Sequence, residues 1–228
     1  MLGTEKFCAT PENERVMIAI SGIPGSGKTR LAGLMAREIN RINRSENPNG
    51  GAVIAEAIPM DGYHLTRSQL AQMPDPTYAA ARRGAAFTFD GDKFLEFARS
   101  LRKKIAPDTP ALYAPSFDHA IKDPVENDIV VPATCRVIFF EGNYLSLDRE
   151  PWKSAARLMD ELWFVDVEFE TARKRLVHRH LEAGLAQNEE EADKRAVEND
   201  LVNGKEIVEN RLPVQEIITS CYDPSWDG

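Results

Sequence analysis

Eight consecutive residues, Gly22-Ile23-Pro24-Gly25-Ser26-Gly27-Lys28-Thr29, satisfy the pattern G-x-x-x-x-G-K-[ST] at every fixed position. Glycines in such a run reach positive φ and let other groups approach the backbone closely, so successive N–H groups can converge on phosphate oxygens. Lys28 has the length and charge to reach the β and γ phosphates of a nucleotide, and Thr29 offers a hydroxyl to Mg²⁺. All eight residues are therefore candidates for holding ATP. Two carboxylates stand where they could add chemistry: Asp61, just past a β-prone run, and Glu141, at the end of another. A carboxylate closing an apolar strand needs a partner, and a metal ion near Thr29, a substrate hydroxyl or a basic side chain would each serve. One concentrated basic stretch, Arg173, Lys174, Arg175, His178, Arg179 and His180, reads either as a solvated face or as a source of phosphate-facing cations; Arg175 and Arg179 share one helical face.

The elements that must position these groups are legible in the hydrophobic spacing. Strand-like runs at 16–21, 52–58, 136–140, 161–167 and 214–219 alternate with helix-period stretches at 28–42, 90–104, 169–181 and 189–210. That alternation predicts an α/β fold, a doubly wound and mainly parallel sheet of about five strands. The order strand, Gly-rich turn, helix around residues 16–42 is the setting the phosphate motif requires. Asp90 is a candidate N-cap, and Ala183-Gly184 a helix stop. Phe117, Asp118 and His119 are expected in a loop after Pro115. Residues 1–15 read as an N-terminal extension and 16–228 as one domain.

Composition limits the function. A chain of 228 residues with a formal net charge of −8 is expected to repel nucleic-acid backbones, so any anion must meet a local positive site. Cys8, Cys135 and Cys221 are scattered without metal or redox spacing, which fits a reducing compartment. No apolar run is long enough to span a bilayer, and residues 1–15, with Glu5, Glu12 and Glu14, carry no secretory or transit pattern. The cytosol is the expected location, with the nucleus as the alternative. A homodimer is left open. A GTPase would show N-K-x-D and D-x-x-G elements; neither occurs.

Beyond the phosphate motif, the chain resembles the uridine kinase, pantothenate kinase and phosphoribulokinase group of P-loop kinases. The likeness rests on Asp61-Gly62-Tyr63-His64, Arg82-Arg83-Gly84 with Phe87-Thr88-Phe89-Asp90, Phe117-Asp118-His119 with Asp123-Pro124, and Phe140-Glu141-Gly142, in that group's order over about 16–211. It implies a P-loop NTPase fold with a helical lid over about 173–200, and transfer of the γ-phosphoryl group of ATP, with Mg²⁺, to a hydroxyl of a small metabolite. By the same likeness Asp61 is the expected general base, and Lys28, Arg175 and Arg179 stabilise the transferred group. Tyr63, His64, Arg83, Asp118, His119 and Glu141 are expected to face the acceptor, with Thr29 and Glu141 at the metal. Val177 and His178 stand where uridine kinases carry more arginine, and Glu189, Glu190 and Glu191 would discourage a strongly anionic acceptor. A nucleotide-binding regulatory protein without transfer activity is the alternative.

Overall fold

The computed structural model describes residue 7 and residues 9–47, 51–118 and 120–221. Its centre is a five-stranded sheet built from β1 (Val16–Gly22), β2 (Ala55–Pro59), β5 (Val137–Gly142), β6 (Glu161–Asp166) and β7 (Glu216–Thr219). The order across the sheet is β2-β5-β1-β6-β7, and every pairing is parallel. Alternation along the central strand assigns its two faces. Met17 and Ala19 of β1 join Ile138 and Phe140 of β5 in one core cluster, while Val16, Ile18 and Ile20 join Val137 and Phe139 in the other. Both faces are apolar and covered, as a parallel sheet requires.

Helix α1 (Lys28–Glu46) packs Ala32 and Ala36 against the second cluster. On the other face lie α4 (Gly91–Leu101), with Phe94, Leu95, Ala98 and Leu101 inward, and α5 (Trp152–Ala156). Asp90 caps α4 as expected, accepting from the Lys93 N–H at 2.9 Å. Helix α6 (Phe169–Glu182) stops before Gly184, whose φ of 61° is the left-handed value that a helix end favours. Among the described residues no helix is long and apolar enough to cross a membrane.

Two expectations are corrected, the loop at Phe117 and the helix over 189–210. Phe117 and Asp118 lie in a strand, β3 (Leu112–Asp118), paired antiparallel with β4 (Asp123–Val131) in a separate two-stranded ribbon. Pro115 masks this strand in the sequence because it cannot donate to a ladder; here it sits at a register shift between Ala114 and Ser116, where a missing N–H is tolerated. The segment after Leu65 holds two short helices, α2 (Arg67–Leu70) and α3 (Pro76–Ala81), with Thr66 and Asp75 as N-caps. The helix expected over 189–210 is divided: α7 (Glu189–Arg195), a π turn at Ala196–Asp200, then α8 (Leu201–Glu209).

Candidate active site

At the C-terminal edge of β1 the chain turns through residues 23–27 before entering α1. Gly25 and Gly27 hold φ of 79° and 96°. A side chain at Gly25 would also place its Cβ 2.8 Å from the Ala172 carbonyl of α6, so the loop and that helix meet backbone to backbone. The Ser26 hydroxyl is buried and has no hydrogen-bond partner among the described residues. An unpaired buried hydroxyl beside loop N–H groups at a helix N-terminus fits the oxygens of a bound phosphate. Lys28 is folded back, its Nζ donating to the Ile23 carbonyl at 3.3 Å.

The two strand-end carboxylates lie on neighbouring strands. Pro59 of β2 pairs with Glu141 of β5, and Asp61 follows two residues later in a 3₁₀ turn, Met60–Tyr63. Thr29 donates its hydroxyl to Glu141 Oε2 at 3.0 Å, bringing the two expected metal ligands together. Burial pushes the Glu141 carboxyl up to about 7; Lys28 opposes this and the Asp61 charge adds to it. Lys28 is itself lowered by burial, against the pull of Glu141 and Asp61. The site is therefore too dry to hold its own charges comfortably, and a buried carboxylate short of cationic compensation is a fitting place for Mg²⁺. Asp61, by contrast, has a side chain 47% exposed.

The β3–β4 ribbon packs against the turn that carries Asp61, at Gly62. A Cβ on Gly62 would overlap the Pro115 carbonyl, so no side chain fits there. His64 is held beside this contact, its Nδ1 2.8 Å from the Asp61 carbonyl and its ring between Phe89 (3.9 Å) and Phe117 (4.9 Å). Tyr63 points the other way. It is 1% exposed and set edge-on to Phe94 at 5.1 Å. Its hydroxyl is buried, unpaired among the described residues and raised in pKa by burial, so it is a core residue.

Arg83 and Asp118 are engaged by the fold. Arg83 donates to Leu65 O and Asp123 Oδ1, both at 3.0 Å, and lies over the Phe117 ring, tying the ribbon to the α2 segment. Asp118 accepts from the N–H groups of Ala120 (2.7 Å) and Ile121 (3.2 Å) and so shapes the ribbon's turn. His119 lies outside the described residues.

The basic stretch on α6 divides by partner. Arg173 forms a bidentate pair with Asp193 at 2.5 and 2.7 Å, and His178 meets Glu182 at 3.1 Å. Arg175 turns inward, donating to the Gly25 carbonyl at 3.2 Å and to Ser220 Oγ at 2.9 Å. Arg179 is exposed, yet its charge is felt by both Lys28 and Glu141. The acidic run Glu189, Glu190 and Glu191 forms the first turn of α7, where the helix dipole favours negative charge.

Several engaged residues escaped the sequence reading. Arg82 donates to Asn199 Oδ1 (2.8 Å) and Asn203 Oδ1 (2.6 Å), and Asp200 pairs with buried His180 at 3.2 Å. The available signal was Asn199 and Asn203, four apart, a helical spacing that puts two polar side chains on one face. Arg211 covers the Phe164 ring at 4.8 Å.

No protein-family model matches the chain. It is 55% identical over 159 residues to the ATP-dependent kinase-like protein notR' of Aspergillus versicolor, covering 70% of this chain and 92% of that protein. It is 43% identical over 205 residues to a uridine kinase-like protein of Schizosaccharomyces pombe, covering 90% and 83% respectively. Among solved structures it superposes on YFH7 of Saccharomyces cerevisiae, a P-loop protein whose kinase role is itself a proposal, with a TM-score of 0.85 at 23% identity over 97% of this chain and 98% of that one. The strand-turn-helix cradle, the paired strand-end carboxylates and these relatives agree: the chain belongs to the family of P-loop ATP-dependent kinases that contains the uridine kinase-like proteins.

Proposed function

We propose that this kinase transfers the γ-phosphoryl group of ATP to a hydroxyl of a small metabolite, such as a nucleoside, sugar or vitamin-like alcohol. The observation that carries the reading is the convergence of Asp61, Glu141 and Lys28 at one edge of the sheet, with Asp61 alone of the three open to solvent. An acceptor oxygen attacks the γ-phosphorus while the bond to the β–γ bridging oxygen breaks, and its proton passes to the Asp61 carboxylate. Lys28 and Arg179 offset the charge that spreads over the transferred oxygens, and Arg175 fixes the lid helix on the phosphate loop. Thr29 and Glu141 would hold Mg²⁺, which supplies further neutralisation of the phosphates when bound. The net charge of −8 favours a small acceptor over a nucleic acid.

The test is ADP release from Mg²⁺-ATP with a panel of nucleosides, sugars and vitamin alcohols, using the intact protein, Asp61→Asn and Lys28→Ala. One acceptor is expected to stimulate turnover, and Asp61→Asn to lower kcat about 10²- to 10⁴-fold while ATP still binds. If no acceptor stimulates turnover and Asp61→Asn alters neither binding nor hydrolysis, the protein is a nucleotide-binding regulator.

A further inference from the structure

The π turn at Ala196–Asp200 stands between the two sides of the cleft, and its side chains reach both. Toward the Asp61 side, buried Asn199 accepts from Arg82 Nη1 at 2.8 Å and donates through Nδ2 to the Arg83 carbonyl at 3.0 Å. The Glu198 carbonyl takes a further Arg82 bond at 3.2 Å, and Asn203 takes Nη2 at 2.6 Å. From Arg83 the connection continues inward: the Leu65 N–H donates to Thr88 O at 2.9 Å and the Asp90 N–H to Tyr63 O at 2.7 Å, joining residues 82–90 to the turn that holds Asp61.

Toward the lid, Asp200 Oδ2 lies 3.2 Å from Nε2 of His180, which is 2% exposed. The other ring nitrogen lies 3.3 Å from the Ala192 carbonyl, which holds the ring against α7, while Asp200 Oδ2 approaches the ring without a hydrogen-bond partner among the described residues. His180 adjoins Arg179 on α6, and the Asp200 charge is felt by Lys28. One turn after the π turn, Gly204 brings α8 against Ile23 of the phosphate loop. A single short element thus touches the nucleotide side through Asp200 and the acceptor side through Asn199.

We propose that Asn199 and Asp200 are positioning residues for phosphoryl transfer: the π turn couples the arginine-bearing helix to the Asp61 side, so that nucleotide bound at the loop orders residues 82–90. This rests on the reading of Arg175 and Arg179 as nucleotide-facing and of Asp61 as acceptor-facing. A π turn holds one residue more than an α turn. Recovering α-helical register would swing its side chains by about 100° relative to Asn203, breaking one set of bonds or the other. Two discrete arrangements of one element are the physical requirement for coupling two sites. The π arrangement makes four Arg82 and Arg83 bonds and keeps Asp200 3.2 Å from His180 at once.

Hydrogen–deuterium exchange of the full chain, with and without Mg²⁺ and the non-hydrolysable analogue AMP-PNP, tests this without needing the acceptor. In the intact protein the nucleotide is expected to slow exchange at 22–30, at 173–180 and, on the order of tenfold, at 82–90. Asn199→Ala and, from the opposite element, Arg82→Gln should keep the first two effects and lose the third; Arg82 is only half-buried, so its replacement tests the coupling even where the Asn199 variant folds poorly. Protection at 22–30 without protection at 82–90, or protection at 82–90 surviving in Arg82→Gln, overturns the coupling and leaves the kinase reading standing. Absence of protection at 22–30 in the intact protein overturns both.

Discussion

Replacing Glu141 by Gln tests the electrostatics of the site directly, because the substitution keeps the shape and removes the charge. The carboxyl is 5% exposed and is pushed from an ordinary 4.5 up to about 7. A raised carboxyl binds its proton more tightly in the folded chain than in the unfolded one. Its contribution to stability is therefore fully present below pH 4.5 and lost as the pH rises through 7. The loss amounts to about 3 kcal/mol at pH 8 and about 1 kcal/mol at pH 5. A neutral amide at this position would not carry this cost. Lys28, however, is kept charged partly by Glu141 and loses that support, so the net gain for Glu141→Gln is about 1–3 kcal/mol at pH 8, shrinking toward pH 5. Urea denaturation of both proteins at the two pH values reads this difference. The same experiment with Mg²⁺-ADP present should reverse the ranking, since only the glutamate offers the cation a charged ligand. Stability curves that run parallel across pH, or a variant less stable than the parent at pH 8 without ligand, would refute the reasoning.

Two further substitutions probe the acceptor side. Gly62→Ala sets a methyl onto the Pro115 carbonyl; it should cost about 2–3 kcal/mol in thermal or chemical unfolding and displace Asp61, lowering kcat more than it raises the KM for ATP. Tyr63→Phe removes a buried hydroxyl that has no partner among the described residues, so it should leave stability unchanged or improve it by up to about 1 kcal/mol, with turnover of whichever acceptor the panel identifies unaltered.

What could be read from the sequence was what is local. The phosphate loop is eight contiguous residues between a strand and a helix, and its pattern of glycines is visible in the sequence without knowing which segments pack on it. The sheet was legible for a related reason: its central strands β1, β5 and β6 are buried on both faces and mostly apolar, so their runs of residues are visible without knowing their neighbours. Residues whose roles depend on partners far along the chain were not legible. Arg83 and Asp118 stand in motifs that suggest an acceptor pocket, yet Arg83 is committed to Asp123, forty residues away, and Asp118 to the turn that follows it. Tyr63 and His64 are adjacent, and only the placement of Phe94, Phe89 and Phe117 decides that one enters the core while the other packs between Phe89 and the ribbon.

The same distinction explains how an acidic protein can hold a polyanion. Composition sums charges over the whole chain, whereas the phosphate site depends on which charges the fold leaves uncommitted. Of the basic stretch on α6, Arg173 and His178 are answered by acidic neighbours on or beside the helix, whereas Arg175 donates to the loop and the charge of exposed Arg179 reaches its lysine. The acidic run that follows is placed at a helix start, where the backbone dipole favours it and its charge helps hold α7. Negative charge is not kept out of the site itself: Glu141, Asp61 and Asp200 all act on Lys28. A cleft lined only with cations would hold ATP and ADP alike. One that sets a buried carboxylate, Glu141, against its lysine is poorly compensated when empty, and would favour a nucleotide that arrives with a metal ion.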